Sequence, residues 1–192
     1  FGILLITFQL NVLAQAQMGQ TIIGDADGDF LCLSDLNSDG TIMVVGAPFN
    51  DGNYAKVYEF DGTDWNQLGS TINGEAIGDR FGWQVAIDAD GSTIAVCAPY
   101  NDGNGADAGH VRVFNYDGSD WVQLGADIDS EAAGDMDGFG GVDLSSDGMR
   151  VAVGAPYNDG NGVDAGHIRV FEYDGSDWIQ LGNDIDGPAA ES

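Results

Sequence analysis

Positive charge is the scarcest feature of this sequence. Lys56, Arg80, Arg112, Arg150 and Arg169 stand against 32 aspartates and glutamates, a formal net charge of -27 over 192 residues. A surface of that sign repels phosphate backbones and anionic headgroups, so nucleic acid and acidic membranes are excluded as partners. Self-repulsion also strains the compact state, and divalent cations are the expected relief.

Cysteine and histidine are scarce as well. Cys32 and Cys97 are too few for a disulfide framework, and each lies in an apolar run, as a small buried hydrophobe does. His110 and His167 are the only histidines, and their matched positions mark them as packing or turn residues. Gly-x-Ser-x-Gly, His-Glu-x-x-His, a phosphate-binding loop and Cys-x-x-Cys are all missing, so no motif carries an enzyme. Thirty-two acidic residues guarantee some close carboxylate pairs, but nothing singles out two of them for hydrolysis. No Asn-x-Ser/Thr sequon occurs.

Long apolar runs are limited to residues 1–16 (FGILLITFQLNVLAQA), which end in the small-residue pattern Ala14-Gln15-Ala16. That segment reads as a signal peptide, too short and too polar near its end to span a membrane. The expected location is secreted, extracellular or cell-surface, with no membrane span in the mature protein. The remainder is apolar enough to fold, since 43% of all residues are hydrophobic.

What the chain has in abundance is repetition. Asp61-Gly62-Thr63-Asp64-Trp65 returns as Asp117-Gly118-Ser119-Asp120-Trp121 and as Asp174-Gly175-Ser176-Asp177-Trp178, with tryptophan spacings of 56 and 57 residues. Gln-Leu-Gly follows each tryptophan after one residue. Ala47-Pro48, Ala98-Pro99 and Ala155-Pro156 recur at 51 and 57 residues, so the first unit is shortened. Five residues are missing there, assigned to a point after Asn53 and matching Gly105 to Gly109 and Gly162 to Gly166. The units are expected at 17–77 (with a lead-in strand), 78–133 and 134–192.

In the second unit four strands are expected: Gly82 to Ile87, Thr93 to Ala98, His110 to Tyr116 and Trp121 to Gly125. Asp-Gly pairs at Asp90-Gly91 and Asp117-Gly118 supply hairpin chemistry. Four short antiparallel strands per unit make a propeller blade, so the fold class is all-β, with three four-stranded blades in a partial β-propeller or open stack. Exact recurrence gives Trp65, Trp121 and Trp178 a structural role rather than a sugar-stacking one. Lys56, Arg112 and Arg169 are expected as internal counter-charges to the acidic turns.

Phe81-Gly82 leading to Cys97-Ala98-Pro99, and Phe139-Gly140 leading to Gly154-Ala155-Pro156, resemble the FG-GAP repeats of integrin α-like β-propellers. In the first unit Phe30 is followed by Leu31 where the family has Gly. The units also resemble the acidic tandem repeats of secreted surface proteins. The first resemblance implies calcium loops of the form Asp-x-Asp/Asn-x-Asp-Gly between the first two strands. Asp35, Asn37 and Asp39 match it, with Met43 where a further carboxylate is expected. Asp143 and Asp147 keep part of it, and the second unit retains only Asp88 and Asp90. Asp102, Asn104 and Asp107, with Asp159, Asn161 and Asp164, offer further oxygen donors, although the same residues build tight turns.

Three blades leave strand edges and apolar faces to be covered, by further blades of a longer chain or by other copies of this one. The expected function is non-enzymatic: calcium-dependent adhesion, or binding of an extracellular protein or glycan through the loops. The alternative is self-assembly into a filament or matrix, and a propeller-based hydrolase is the least favoured.

Overall fold

Aspartate side chains shape the hairpins from which this fold is built. In each outer hairpin one carboxylate oxygen accepts from two successive backbone N–H groups. Asp61 takes Thr63 and Asp64, Asp117 takes Ser119 and Asp120, and Asp174 takes Ser176 and Asp177, at 2.8 to 3.0 Å. These Asx turns reverse the chain without spending strand residues. Gly40, Gly91 and Gly148, with φ of 73°, 82° and 68°, close the hairpins on the inner side.

A computed structural model describes residues 17–49 and 53–188, and the apolar segment 1–16 read as a signal peptide lies outside them. The described residues contain strands and no helix, and so no helix long and apolar enough to cross a membrane. The first sheet holds β1 (Leu33–Leu36), β2 (Ile42–Ala47), β3 (Tyr54–Phe60), β4 (Trp65–Gln67) and β5 (Ile72–Asn73). The second holds β6 (Val85–Ile87), β7 (Thr93–Ala98), β8 (His110–Tyr116), β9 (Trp121–Gln123) and β10 (Ile128–Asp129). The third holds β11 (Val142–Leu144), β12 (Arg150–Ala155), β13 (His167–Tyr173), β14 (Trp178–Gln180) and β15 (Ile185–Asp186).

Every pairing is antiparallel, and each sheet has four strand positions of which the outermost is split. β9 pairs the end of β8 through Phe114 to Tyr116, whereas β10 pairs its start through His110 and Val111. The sheets are thus three four-position propeller blades, and they do not close into a ring.

The middle blade buries both faces, which explains its nearly continuous apolar second strand. Ile94, Val96 and Phe114 pack with Val44, Ala55 and Val57 of the first blade. Ala95, Cys97, Val111 and Val113 pack with Val151, Val153 and Phe171 of the third. Cys97 is the small core residue expected of it, but Cys32 is exposed and lies outside β1.

The repeated tryptophans stitch consecutive blades together. The indole Nε1–H of Trp121 donates to Leu68 O at 2.8 Å and that of Trp178 to Leu124 O at 2.7 Å. Each ring also packs on its cross-strand partner, Tyr116 or Tyr173, with centroids 5.3 and 5.4 Å apart. Trp65 makes the same bond to Met18 O at 3.1 Å. Gln17-Met18-Gly19 therefore stands where Gln67-Leu68-Gly69 and Gln123-Leu124-Gly125 stand for the later blades. The glycine is required, since a Cβ at Gly19, Gly69 or Gly125 would come within 2.8 to 2.9 Å of the tryptophan Cδ1.

The structure revises the matching of the repeats at three places. Gly82 and Gly138 are the equivalent left-handed glycines (φ 91° and 80°), each donating its N–H to the second strand of its own blade. Phe139 therefore matches Trp83, and Asp137 takes the position of Phe81. In the first blade Phe30, with φ of 50°, matches Arg80 and Met136 at φ 62° and 54°, so it is not the Phe of a Phe-Gly pair. Asn53 has a positive φ of 37° and its carbonyl accepts from Gly74 N, as Gly109 O accepts from Ser130 N and Gly166 O from Gly187 N. The five missing residues thus precede Asn53 rather than follow it.

Candidate functional site

The acidic turns between the first two strands are bound tightly to their own backbone. Asn37 Oδ1 accepts from Thr41 N and Ile42 N, and Asp39 Oδ1 accepts from Thr41 N and, at 2.5 Å, from its hydroxyl. The Thr41 hydroxyl and amide hold the Asp39 carboxyl below its usual range. Asp35 does not join them: its oxygens accept from Leu36 N and, across the blade junction, from Ile87 N at 3.0 Å. Asp147 repeats the Asp39 arrangement with Ser145 and Met149, while Asp143 accepts from Leu144 N.

The long loops are two copies of one turn. Asp102 Oδ1 accepts from Asp107 N at 2.9 Å and Asp159 Oδ1 from Asp164 N at 2.8 Å, with both Asp107 and Asp164 at φ 50°. Asn104 and Asn161 turn their amides outward from the loop, donating to Ser130 O and Gly187 O. Of the carboxylates predicted as ligands, Asp102 and Asp159 each use Oδ1 to close the loop.

The basic residues pair with carboxylates outside the Asp-Gly hairpin turns, and Arg150 meets Glu172 on the neighbouring strand of its own sheet at 2.7 Å. Lys56 Nζ meets Asp25 at 2.6 Å, and Arg112 Nε lies 3.6 Å from Asp127 while donating to Gln123. Arg169 pairs with the fully buried Asp137. Burial pushes the Asp137 carboxyl up, against the pull of Arg169 and of its hydrogen bond.

Each histidine opens the third strand of its blade and faces a glutamate from the preceding junction and an aspartate from its own blade. Donor atoms of Glu75, His110 and Asp127 lie within 4.8 Å of one another, and those of Glu131, His167 and Asp184 do the same. Burial lowers the His110 pKa, opposed chiefly by Asp127 and Glu75.

An aromatic row runs across all three blades. Phe30 meets Phe49 at 4.9 Å between centroids, Phe49 meets Trp83 at 5.8 Å, Trp83 stacks on Phe139 at 5.0 Å, and Phe139 meets Tyr157 at 5.7 Å. Tyr100 stands edge-on to Trp83 and Phe139. The Arg80 guanidinium lies 4.2 Å above the Phe49 ring. Phe30, Phe49 and Tyr157 are exposed.

With this geometry in place, the comparisons with known proteins bear on the same region. Residues 72–114 match the FG-GAP repeat. The FG-GAP match begins at β5 and ends within β8, so it straddles the junction of the first and second blades. It takes in Glu75, His110, Phe81, Gly82, Trp83 and Tyr100. No curated protein sequence matches the chain.

Two solved structures share the fold. One is a candidate 6-phosphogluconolactonase from Bacteroides fragilis (TM-score 0.58, 16% identity), of which the chain spans 41% while 85% of the chain is covered. The other is a candidate 6-phosphogluconolactonase from Bacteroides uniformis (TM-score 0.55, 13% identity), of which the chain spans 40% with 79% covered. At these identities the likeness is one of fold alone.

Sequence reasoning missed both the aromatic row and the histidine–carboxylate groups. The row had a signal: an aromatic follows Ala-Pro in every unit, as Phe49, Tyr100 and Tyr157. The histidine groups had none, because each joins three segments from two blades.

Proposed function

We propose that this chain is a non-enzymatic, secreted propeller module that binds an extracellular ligand, a glycan fitting best, through the aromatic row. The row itself carries this reading. Flat apolar rings backed by Arg80 suit the faces of sugar rings, and the net charge of -27 favours a neutral or cationic ligand. Calcium at the acidic turns, using carboxylate oxygens that the backbone leaves free, belongs to the same proposal as a supporting ion.

The test titrates neutral soluble polysaccharides (a β-glucan, a xylan and a mannan) while following tryptophan fluorescence and heat. Saturable binding that W83A and F49A each weaken at least tenfold supports the reading. No binding by any of the three, or binding unchanged in both variants, overturns it. A chelator arm reads the calcium component separately.

A second reading, end-to-end assembly, rests on the face of the third blade that the described residues leave uncovered. On the first blade Gly82 of the next blade sits so close that a Cβ at Gly46 would fall 2.1 Å from its carbonyl oxygen. The matching face of the third blade leaves a pocket of about 370 Å³ beside Gly154, Ile168 and Ile185, with Ile168 46% and Ile185 61% exposed. A further blade of the same type fits there. Light scattering shows this as mass rising with protein concentration, reversed by Ile185→Asp. A concentration-independent monomer sinks the self-assembly reading.

A further inference from the structure

We infer that the second and third blades each hold a divalent transition-metal ion of the zinc class, bound by Glu75, His110 and Asp127 in one and Glu131, His167 and Asp184 in the other. The two sites lie apart from the acidic turns and do not depend on the ligand of the aromatic row.

The donor sets are matched copies. The histidine heads β8 or β13, the glutamate follows β5 or β10, and the aspartate precedes β10 or β15. Each therefore forms only when one blade packs on the blade before it.

His167 supplies the observation that points to a ligand. It is 4% exposed, and neither ring nitrogen has a hydrogen-bond partner. Its Nδ1 lies 3.9 Å from Glu131 Oε2, beyond hydrogen-bond range. His110 Nδ1 stands similarly 3.6 Å from Asp127 Oδ2. An imidazole buried without a partner is costly, and a metal bound at Nδ1 and shared with the facing carboxylates satisfies that nitrogen.

The carboxylates are already held by neighbouring groups. Gln123 Nε2 donates to Asp127 Oδ1 and Gln180 Nε2 to Asp184 Oδ1, both at 2.6 Å, which leaves each Oδ2 for an ion. One nitrogen and two carboxylates suit zinc better than calcium, which takes oxygen almost exclusively. Glu131, Gln180 and Asp184 line an open pocket that gives the third-blade group an entry path.

The first blade shows what happens without the donor set. Asp25, Tyr54 and Thr71 occupy the matching positions, and there the Lys56 ammonium sits 2.6 Å from Asp25. That blade carries its own cation; in the second blade Arg112 Nε stays 3.6 Å from Asp127 Oδ1 and bonds Gln123 instead, and in the third Arg169 is turned away to Asp137, leaving Glu131 and Asp184 without an arginine partner.

The test is calorimetric titration of the metal-stripped chain with zinc chloride in excess calcium. Two ions per chain are expected, and His110→Gln and His167→Gln should each remove one. Because His167 is buried, Glu131→Gln and Asp184→Asn serve as surface variants that keep the fold, each weakening one site at least tenfold. Asp39→Asn should leave the count at two. Absence of saturable zinc binding, or two ions still bound after both histidine changes, overturns the inference.

Discussion

Asp137 stands in the third blade where Phe81 stands in the second. Each precedes a left-handed glycine, and each is fully buried. The basic residue above them is the same: the Arg112 guanidinium lies 5.7 Å from the Phe81 ring, and Arg169 pairs with Asp137. One core position is thus filled by an aromatic ring in one blade and by an ion pair in the next.

Removing the Asp137 carboxylate leaves a buried arginine uncompensated, so Asp137→Ala should cost about 3–5 kcal/mol. Asp137→Phe restores the arrangement of the second blade and should recover most of that loss, with Arg169 turning to Gln180 as Arg112 does to Gln123. Urea denaturation of both variants measures it. Equal destabilisation by the two would show that the positions are not equivalent.

Trp121→Phe and Trp178→Phe keep the ring contact but strand the carbonyls of Leu68 and Leu124, each at a cost of about 1–2 kcal/mol. Trp65→Phe should cost less, because its bond to Met18 O is exposed. Thermal unfolding of the three variants side by side gives the ranking.

Gly46→Ala places a methyl 2.1 Å from the Gly82 carbonyl oxygen, so the first and second blades must separate. Overpacking of this kind costs about 1–3 kcal/mol. Gly154→Ala, whose nearest neighbours belong to its own blade at 3.4 Å and beyond, should be close to neutral. Denaturation midpoints that fall together for the two variants would contradict the packing described.

Acid should act on this protein in two opposed ways. Asp61 is held below its usual value of 3.8 chiefly by the Asp64 amide, and Asp117 and Asp174 chiefly by the Ser119 and Ser176 hydroxyls. Their stabilisation is full above 3.8 and is lost as pH falls through the lower folded values. Burial raises Asp88, Asp129 and Asp137, so the stability from their protonated forms is present below 3.8 and lost as pH rises through the higher folded values. Stability measured by urea should therefore rise as pH drops from neutral and fall below 3.8. The triple variant D61N/D117N/D174N should flatten the acid limb, and an unchanged limb would rule out the turn carboxylates as its cause.

Two strands of the second unit were legible in the sequence to the residue, and the other two are shorter than the expected Gly82 to Ile87 and Trp121 to Gly125. Thr93–Ala98 and His110–Tyr116 fall where alternation and Asp-Gly turns put them, because a hairpin is decided by residues a few positions apart. The structural role of Trp65, Trp121 and Trp178 was legible for a related reason: a residue repeated in every unit answers to a contact repeated in every unit.

The register of Phe139 was not legible. Phe139-Gly140 imitates Phe81-Gly82, yet the turn is set by the left-handed Gly138, whose N–H reaches Gly154 O. A dipeptide match carries no information on which glycine makes that bond.

The sequence by itself determined the repeat, the strand order within each blade and the acidic turns, since all of these follow from local backbone preference and side-chain alternation. Tertiary structure alone decided which distant residues meet: Arg169 with Asp137 inside the third blade, Trp83 with Phe139 between the second and third, and His167 with Glu131 and Asp184. Those contacts join segments well apart in the sequence, and only the folding of each blade and its packing on the next bring them together.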